Sequence, residues 1–142
     1  MEISINYWAV LVSALAYMAI GSVWYGPLFG KKWMKLSGLT KESMKSMPLT
    51  AAQAMAGGLV TALITAFVLA HDSFVWMTFD AGYTAMALFA FQLGFWIWLG
   101  YVVTTQSSSW LWEGKPFKLL VLNAAHSLIV LQVMAFILVY WQ

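Results

Sequence analysis

The residues of this chain that could do chemistry are few and lie close together. His126 is the only ionisable group deep inside any of the long apolar stretches, with Asn123 three positions before it and Ser127 beside it. At helical spacing, Asn123, His126, Ser127, Val130 and Met134 share one stripe about 100° wide. Ionisable side chains within a membrane are costly, so they face a bundle interior or a water-filled cavity. An imidazole that titrates near neutral pH, an amide and a hydroxyl on one stripe can hold a small ligand, a water chain or a proton. A fourth group joins this pocket. Gln92, on the preceding apolar stretch, stands opposite the small residues Ala87, Ala90 and Gly94 and needs a partner of its own, because an unpaired amide in hydrocarbon costs several kcal/mol. The competing reading is a neutral structural histidine, its nitrogens satisfied by Asn123, Gln92 or a neighbouring carbonyl.

Several other chemistries find no support. The cysteine count is zero, which excludes disulfides, thiolate metal sites, Fe–S clusters and cysteine nucleophiles. A metal cage needs three or four ligands, and His126 stands alone in its layer, so no metal site and no cofactor are expected. Ligation of a haem by one histidine per chain is the single exception to carry forward. No phosphate loop or nucleophile motif is present, and the chain does not read as an enzyme. No carboxylate is expected at mid-membrane; His71-Asp72 reads as a solvated helix end at the outer surface.

Stepping outward, these residues must be positioned by four uncharged stretches, roughly residues 7–29, 50–70, 81–103 and 117–141. Each has the ~20 residues that cross a ~30 Å hydrocarbon core as a helix. Composition agrees: 63% of residues are hydrophobic and 8% charged, against about 25% charged in soluble domains. The expected fold is all-α, a polytopic four-helix transmembrane bundle forming a single domain over residues 1–142. All seven basic residues are lysines in two loops: Lys31, Lys32, Lys35, Lys41 and Lys45 in the first, Lys115 and Lys118 in the third. Lysine-rich short loops stay cytoplasmic, which places both termini outside. The lysines are read as a record of topology and of anionic lipid contact rather than as a nucleic-acid patch. The first stretch is expected to be retained as a span, since no positive residue precedes it as a signal peptide would require.

Along the chain, Trp24 and Tyr25 read as interface anchors beside Gly26-Pro27, a pair that interrupts regular helix hydrogen bonding. Residues 30–36 mix lysine with Trp33, Met34 and Leu36, suiting either an interfacial helix or an ordinary loop with a tryptophan anchor. Thr40 is a candidate N-cap. The second stretch carries a ladder of small residues, Ala54, Gly57, Gly58, Ala62 and Ala66, read as a helix-packing seam within or between subunits. Asp80 is expected to cap the third helix. Ser107-Ser108-Ser109 reads as a polar turn, flanked by Trp110 and Trp112 as further anchors, and Pro116 opens the fourth helix.

Two segments resemble a known family. Val23-Trp24-Tyr25-Gly26-Pro27-Leu28-Phe29-Gly30-Lys31-Lys32-Trp33-Met34, and the run from Leu111 to Lys118 continued through Asn123-Ala124-Ala125-His126, are similar to the small bacterial membrane proteins grouped as "domain of unknown function 1761". The resemblance implies a bacterial inner-membrane protein of four spans whose activity is not established. It brings no catalytic residues, although Trp24, Tyr25, Pro27, Trp33, Asn123 and His126 lie in the matching motifs. Gly26 stands where many relatives are expected to carry serine.

Three functions of different classes remain in play. The first is a small transporter or channel for a small solute or ion, using Asn123, His126, Ser127 and Gln92. The second is a non-enzymatic scaffold or accessory subunit assembled through the small-residue seam, with homo-oligomerisation expected in either case. The third is a redox or cofactor protein with His126 as axial ligand.

Overall fold

The computed structural model describes residues 4–79 and 85–141. The proposed Asp80 cap and the start of the third stretch at Ala81 lie outside them. Among the described residues every regular element is a helix. Four helices are long and apolar enough to cross a membrane: α1 (Tyr7–Leu28), α4 (Ala51–Phe79), α5 (Met86–Leu111) and α6 (Phe117–Tyr140). Two short helices, α2 (Gly30–Ser37) and α3 (Lys41–Lys45), fill the first lysine loop.

Local signals explain the helix ends. Asn6 caps α1 by accepting from the amides of Trp8 and Ala9 at 3.0 and 3.3 Å, and its Nδ2 donates to the carbonyl of Trp141 at 3.3 Å. That bond ties the first span to the end of the last. In α2 the lysines are exposed while Trp33, Met34 and Leu36 are half-buried, the division expected of an interfacial helix. It stops at Gly38, whose φ of 71° only glycine adopts freely. Thr40 and Ser43 form a reciprocal capping box for α3, and Thr50 and Gln53 do the same for α4.

Two expected boundaries move. The second span does not end at Ala70 but continues as regular helix to Phe79, so His71 and Asp72 belong to α4 and not to a loop. Ser107–Ser109 are likewise helical, within α5. Their hydroxyls donate to the carbonyls of Val103, Thr105 and Gln106 at 2.7, 2.8 and 2.9 Å, so the run satisfies itself without leaving the helix.

Helix α6 is the centre of the bundle. It packs against α1, α4 and α5, and buries residues around most of its circumference, among them Leu119, Val130, Leu131, Met134 and Leu138. Helix α1 also packs on α4, whereas α4 and α5 scarcely meet. The small residues set these distances. Ala62 and Ala66 of α4 are fully buried, and a Cβ on Gly58 would lie 3.5 Å from the sulfur of Met18 in α1. Ala54 and Gly57 are exposed, and a Cβ at Gly57 would meet nothing. The small-residue ladder is thus divided, one part turned inward and the other facing out. On the opposite side, a Cβ on Gly94 of α5 would stand 2.9 Å from Nε2 of Gln132 and 3.1 Å from the Leu131 carbonyl, so α5 approaches α6 only because residue 94 is glycine.

Candidate functional site

Two of the long helices are locally widened, and both widenings face the same segment of α6. In α1 the turn Trp24–Leu28 is π-type: the amide of Phe29 donates five residues back, to Trp24, at 2.9 Å. Pro27 has no N–H to give, and Gly26 departs from helical geometry at φ −100°, ψ −106°. In α5 the widened turn is Trp98–Val103, which holds Gly100. The hydroxyls of Thr104 and Thr105 there take the carbonyls of Gly100 and Tyr101, each at 2.7 Å.

The turn in α1 aims its aromatic side chains at His126. Trp24 and Tyr25, expected as interface anchors, point inward instead: their ring centroids lie 5.9 and 4.8 Å from the imidazole. Tyr17 closes a third side edge-on at 6.2 Å. The hydroxyl of Tyr25 donates to Oδ1 of Asn123 at 2.9 Å, fixing the amide that precedes His126 by one turn. On the α5 side, Nε1 of Trp98 donates to the Ala124 carbonyl at 2.7 Å. His126, tenth of the 24 residues of α6, is 5% exposed, and its Nε2 faces Gly21 of α1, where a Cβ would stand 3.5 Å away. Among the described residues, neither that nitrogen nor the buried indole N–H of Trp24 has a hydrogen-bond partner.

The four predicted pocket residues are not gathered in one place. Asn123 and His126 share the enclosure with Tyr25. Ser127 turns to α5, where it accepts from Nε2 of Gln106 at 2.9 Å while donating to the Asn123 carbonyl at 2.9 Å. Gln92 is exposed in a separate groove. Tyr17, Trp24 and Gln106 complete the polar and aromatic surroundings but were not assigned there from sequence; the Trp24-Tyr25-Gly26-Pro27 signal pointed to the headgroup layer. Of the remaining predicted anchors, Trp33 packs edge-on against Tyr25 at 5.4 Å, Trp110 against Phe117 at 5.3 Å, and Trp112 is 85% exposed.

The groove lies between α4 and α5, where those helices scarcely meet. It has a volume of about 500 Å³ and is lined by Asp72, Trp76, Phe89, Gln92, Leu93, Trp96, Ile97 and Tyr101. A smaller hollow of about 260 Å³ adjoins it, sharing Asp72 and Ile97 and floored by Leu131 of α6. Asp72 is therefore a carboxylate within the second span, near its end and away from mid-membrane. Seven residues separate it from the end of α4, ~10 Å at 1.5 Å per residue. A helix of 29 residues measures ~43 Å, so when centred on a ~30 Å core it carries Asp72 about 4 Å inside the apolar boundary. Among the described residues, no group of three or more His, Cys, Asp or Glu side chains is placed to hold a metal ion.

The chain belongs to the family described as "Protein of unknown function (DUF1761)", whose family model matches residues 8–139. No curated protein and no solved structure matches it.

Proposed function

We propose that this protein conducts a small polar solute or ion across a bilayer, and that the enclosure around His126 is where the solute is held. The observation carrying this reading is the pair of unpartnered buried atoms at the α1–α6 contact, Nε2 of His126 and Nε1 of Trp24. A buried polar group left unpaired costs ~1–3 kcal/mol, and one polar guest between α1 and α6 would relieve both. Trp24 can only donate, whereas Nε2 accepts or donates according to the tautomer. A guest bearing both a donor and an acceptor, such as water or a small hydroxylated molecule, therefore matches them.

Access runs through the widened turn of α1. Trp24 and Tyr25 close the enclosure, and both hang from a segment whose regular hydrogen bonding Pro27 and Gly26 interrupt. Rotation of that turn would part Trp24 from His126 toward the lysine-loop end. Broken helices beside a midplane site recur in transporters for this reason. On the positive-inside rule that end is cytoplasmic and both termini are external; the family resemblance implies the bacterial inner membrane.

Reconstituted vesicles test the reading. Proton flux is followed with an entrapped pH dye, and water, urea and glycerol movement by stopped-flow light scattering. At least one flux should exceed that of protein-free vesicles and fall to that background in His126→Ala and Trp24→Phe. Equal flux in His126→Ala and the unmodified protein refutes the role of the enclosure.

A second reading, a scaffold or accessory subunit, draws on the exposed small residues Ala54, Gly57 and Thr61 of α4. They offer another helix close approach without any rearrangement of the subunit. On this reading a homo-oligomer forms through that face and His126→Ala is silent.

A further inference from the structure

We infer that the groove between α4 and α5 is a binding site for a free lipophilic organic cation, a compact onium ion carrying apolar or aromatic substituents. The inference stands apart from the flux reading above, since it concerns different helices and is read by binding alone.

Charge argues first. The carboxylate of Asp72 lines both the groove and the adjoining hollow, and no hydrogen bond or ion pair from any described residue reaches it. Its neighbour His71 is the one basic group that acts on it electrostatically, and that ring is tied to its own helix, its Nδ1 2.8 Å from the Phe67 carbonyl and its centroid 4.3 Å from the Phe67 ring. Neither lysine nor histidine is among the residues lining the groove. A carboxylate inside the apolar boundary with only an imidazole beside it is costly, and a cation in the groove supplies a permanent counter-charge.

The walls argue second. Trp76 stands one turn beyond Asp72 on α4, and Trp96 one turn beyond Gln92 on α5; Phe89 and Tyr101 extend the aromatic lining along α5. Faces of tryptophan and tyrosine attract cations, and most strongly those with weakly hydrated, organic surfaces. Leu93 and Ile97 form an apolar floor for the substituents, and Gln92 is the one amide in the lining. A volume of about 500 Å³ lies in the range of sites for small organic molecules.

The same ammonium chemistry occurs in choline and ethanolamine headgroups. Each of those brings a phosphate with its ammonium, which the groove would place near Asp72 with no lysine to meet it. A free monocation carries no such partner anion, and is the occupant the charges favour.

The test uses the full chain in dodecyl maltoside micelles, with tetraphenylphosphonium as the probe and equilibrium dialysis as the readout. Saturable binding is expected. Asp72→Asn, nearly isosteric, should weaken it about 30-fold or more, the scale of removing one member of a desolvated charge pair. Asp72→Glu should retain most of the affinity, and Trp96→Ala should lose roughly 3- to 30-fold. Tetraphenylborate, the same shape with the opposite charge, should not compete. Matching elution of each variant on size exclusion shows that the fold is kept. Absence of saturable binding overturns the inference. So does undiminished binding to Asp72→Asn, or equal competition by tetraphenylborate, which would reduce the groove to an apolar crevice. Displacement of the probe by short-chain phosphatidylcholine at comparable concentration would assign the groove to lipid headgroups and overturn the free cation.

Discussion

Replacing His126 by phenylalanine should make this protein more stable while abolishing any flux through the enclosure. The imidazole is 5% exposed and its Nε2 has no partner among the described residues, an arrangement that costs ~1–3 kcal/mol relative to an apolar atom in the same place. A phenyl ring removes that cost. It keeps the contacts with Tyr17, Trp24 and Tyr25, which approach at 6.2, 5.9 and 4.8 Å. Its extra bulk extends toward Gly21, where the missing side chain leaves room for it. Overpacking of a tight core typically costs ~1–3 kcal/mol, and that opening holds the cost to the low end of the range. The net expectation is a gain of about 1 kcal/mol, or roughly 2–4 °C in melting temperature for a chain of this size. Thermal unfolding in dodecyl maltoside, followed by far-ultraviolet circular dichroism and tryptophan fluorescence, measures it. A loss of ~2 kcal/mol or more would refute the reasoning. It would mean that Nε2 holds a bond the fold depends on, and that His126 is a satisfied structural residue.

Gly94→Ala should destabilise the protein by ~1–3 kcal/mol, since its Cβ meets Gln132 at 2.9 Å and the Leu131 carbonyl at 3.1 Å; an unchanged melting temperature would show that α5 and α6 can part at no cost. A double-mutant cycle between Tyr25→Phe and Asn123→Ala should give a coupling of about 0.6 kcal/mol, up to ~1.7, the range of side-chain hydrogen bonds within membranes; zero coupling in thermal unfolding would remove the Tyr25–Asn123 bond from the enclosure. Gly57→Leu should leave the melting temperature of the subunit unchanged yet break any oligomer seen by native mass spectrometry, whereas Gly58→Leu should strike Met18 and lower stability itself. Intact assembly in Gly57→Leu would remove the outward part of the small-residue ladder from the subunit contact.

The four spans were legible because hydropathy over ~20 residues is a property of composition, which survives any detail of packing. Their ends were less so. A charge or a run of serines looks like a boundary, but Asp72 is carried inside α4 by apolar turns on both sides of it, and the hydroxyls of Ser107, Ser108 and Ser109 close on carbonyls of their own helix. His126 and Asn123 were found on one stripe because α6 is regular throughout. Trp24 and Tyr25 were not placed beside them because aromatic rings next to Gly26-Pro27 read as headgroup anchors; the extra residue of a π-type turn, which causes a rotation of ~100° relative to the 3.6-residue period, has no signature in that pattern. Gln92 was assigned to the same pocket on need alone. Helical spacing relates residues on one helix and says nothing of which neighbour an amide on another helix will face.

That rotation has a consequence for what the bundle can do. The widened turn opens with consecutive aromatic residues, Trp24 and Tyr25, both packed on one imidazole. The same holds across α6, where the widened turn of α5 begins at Trp98, whose indole takes the Ala124 carbonyl. Residues 123–127 are therefore flanked by two irregular turns, while the contacts nearer the termini end are made by regular helix and small residues such as Ala66, Ala90 and Ala135. Packing of that second kind has little freedom, since close-packed helices resist continuous deformation. A turn already missing regular hydrogen bonds gives up less when it moves. Motion in this bundle should then concentrate at the lysine-loop half, with the termini end as the fixed frame. Hydrogen exchange along α1 checks this directly: amides beyond Gly21 should exchange faster than those of Val10–Ala14, and uniform protection along the helix would leave the enclosure without a way to open.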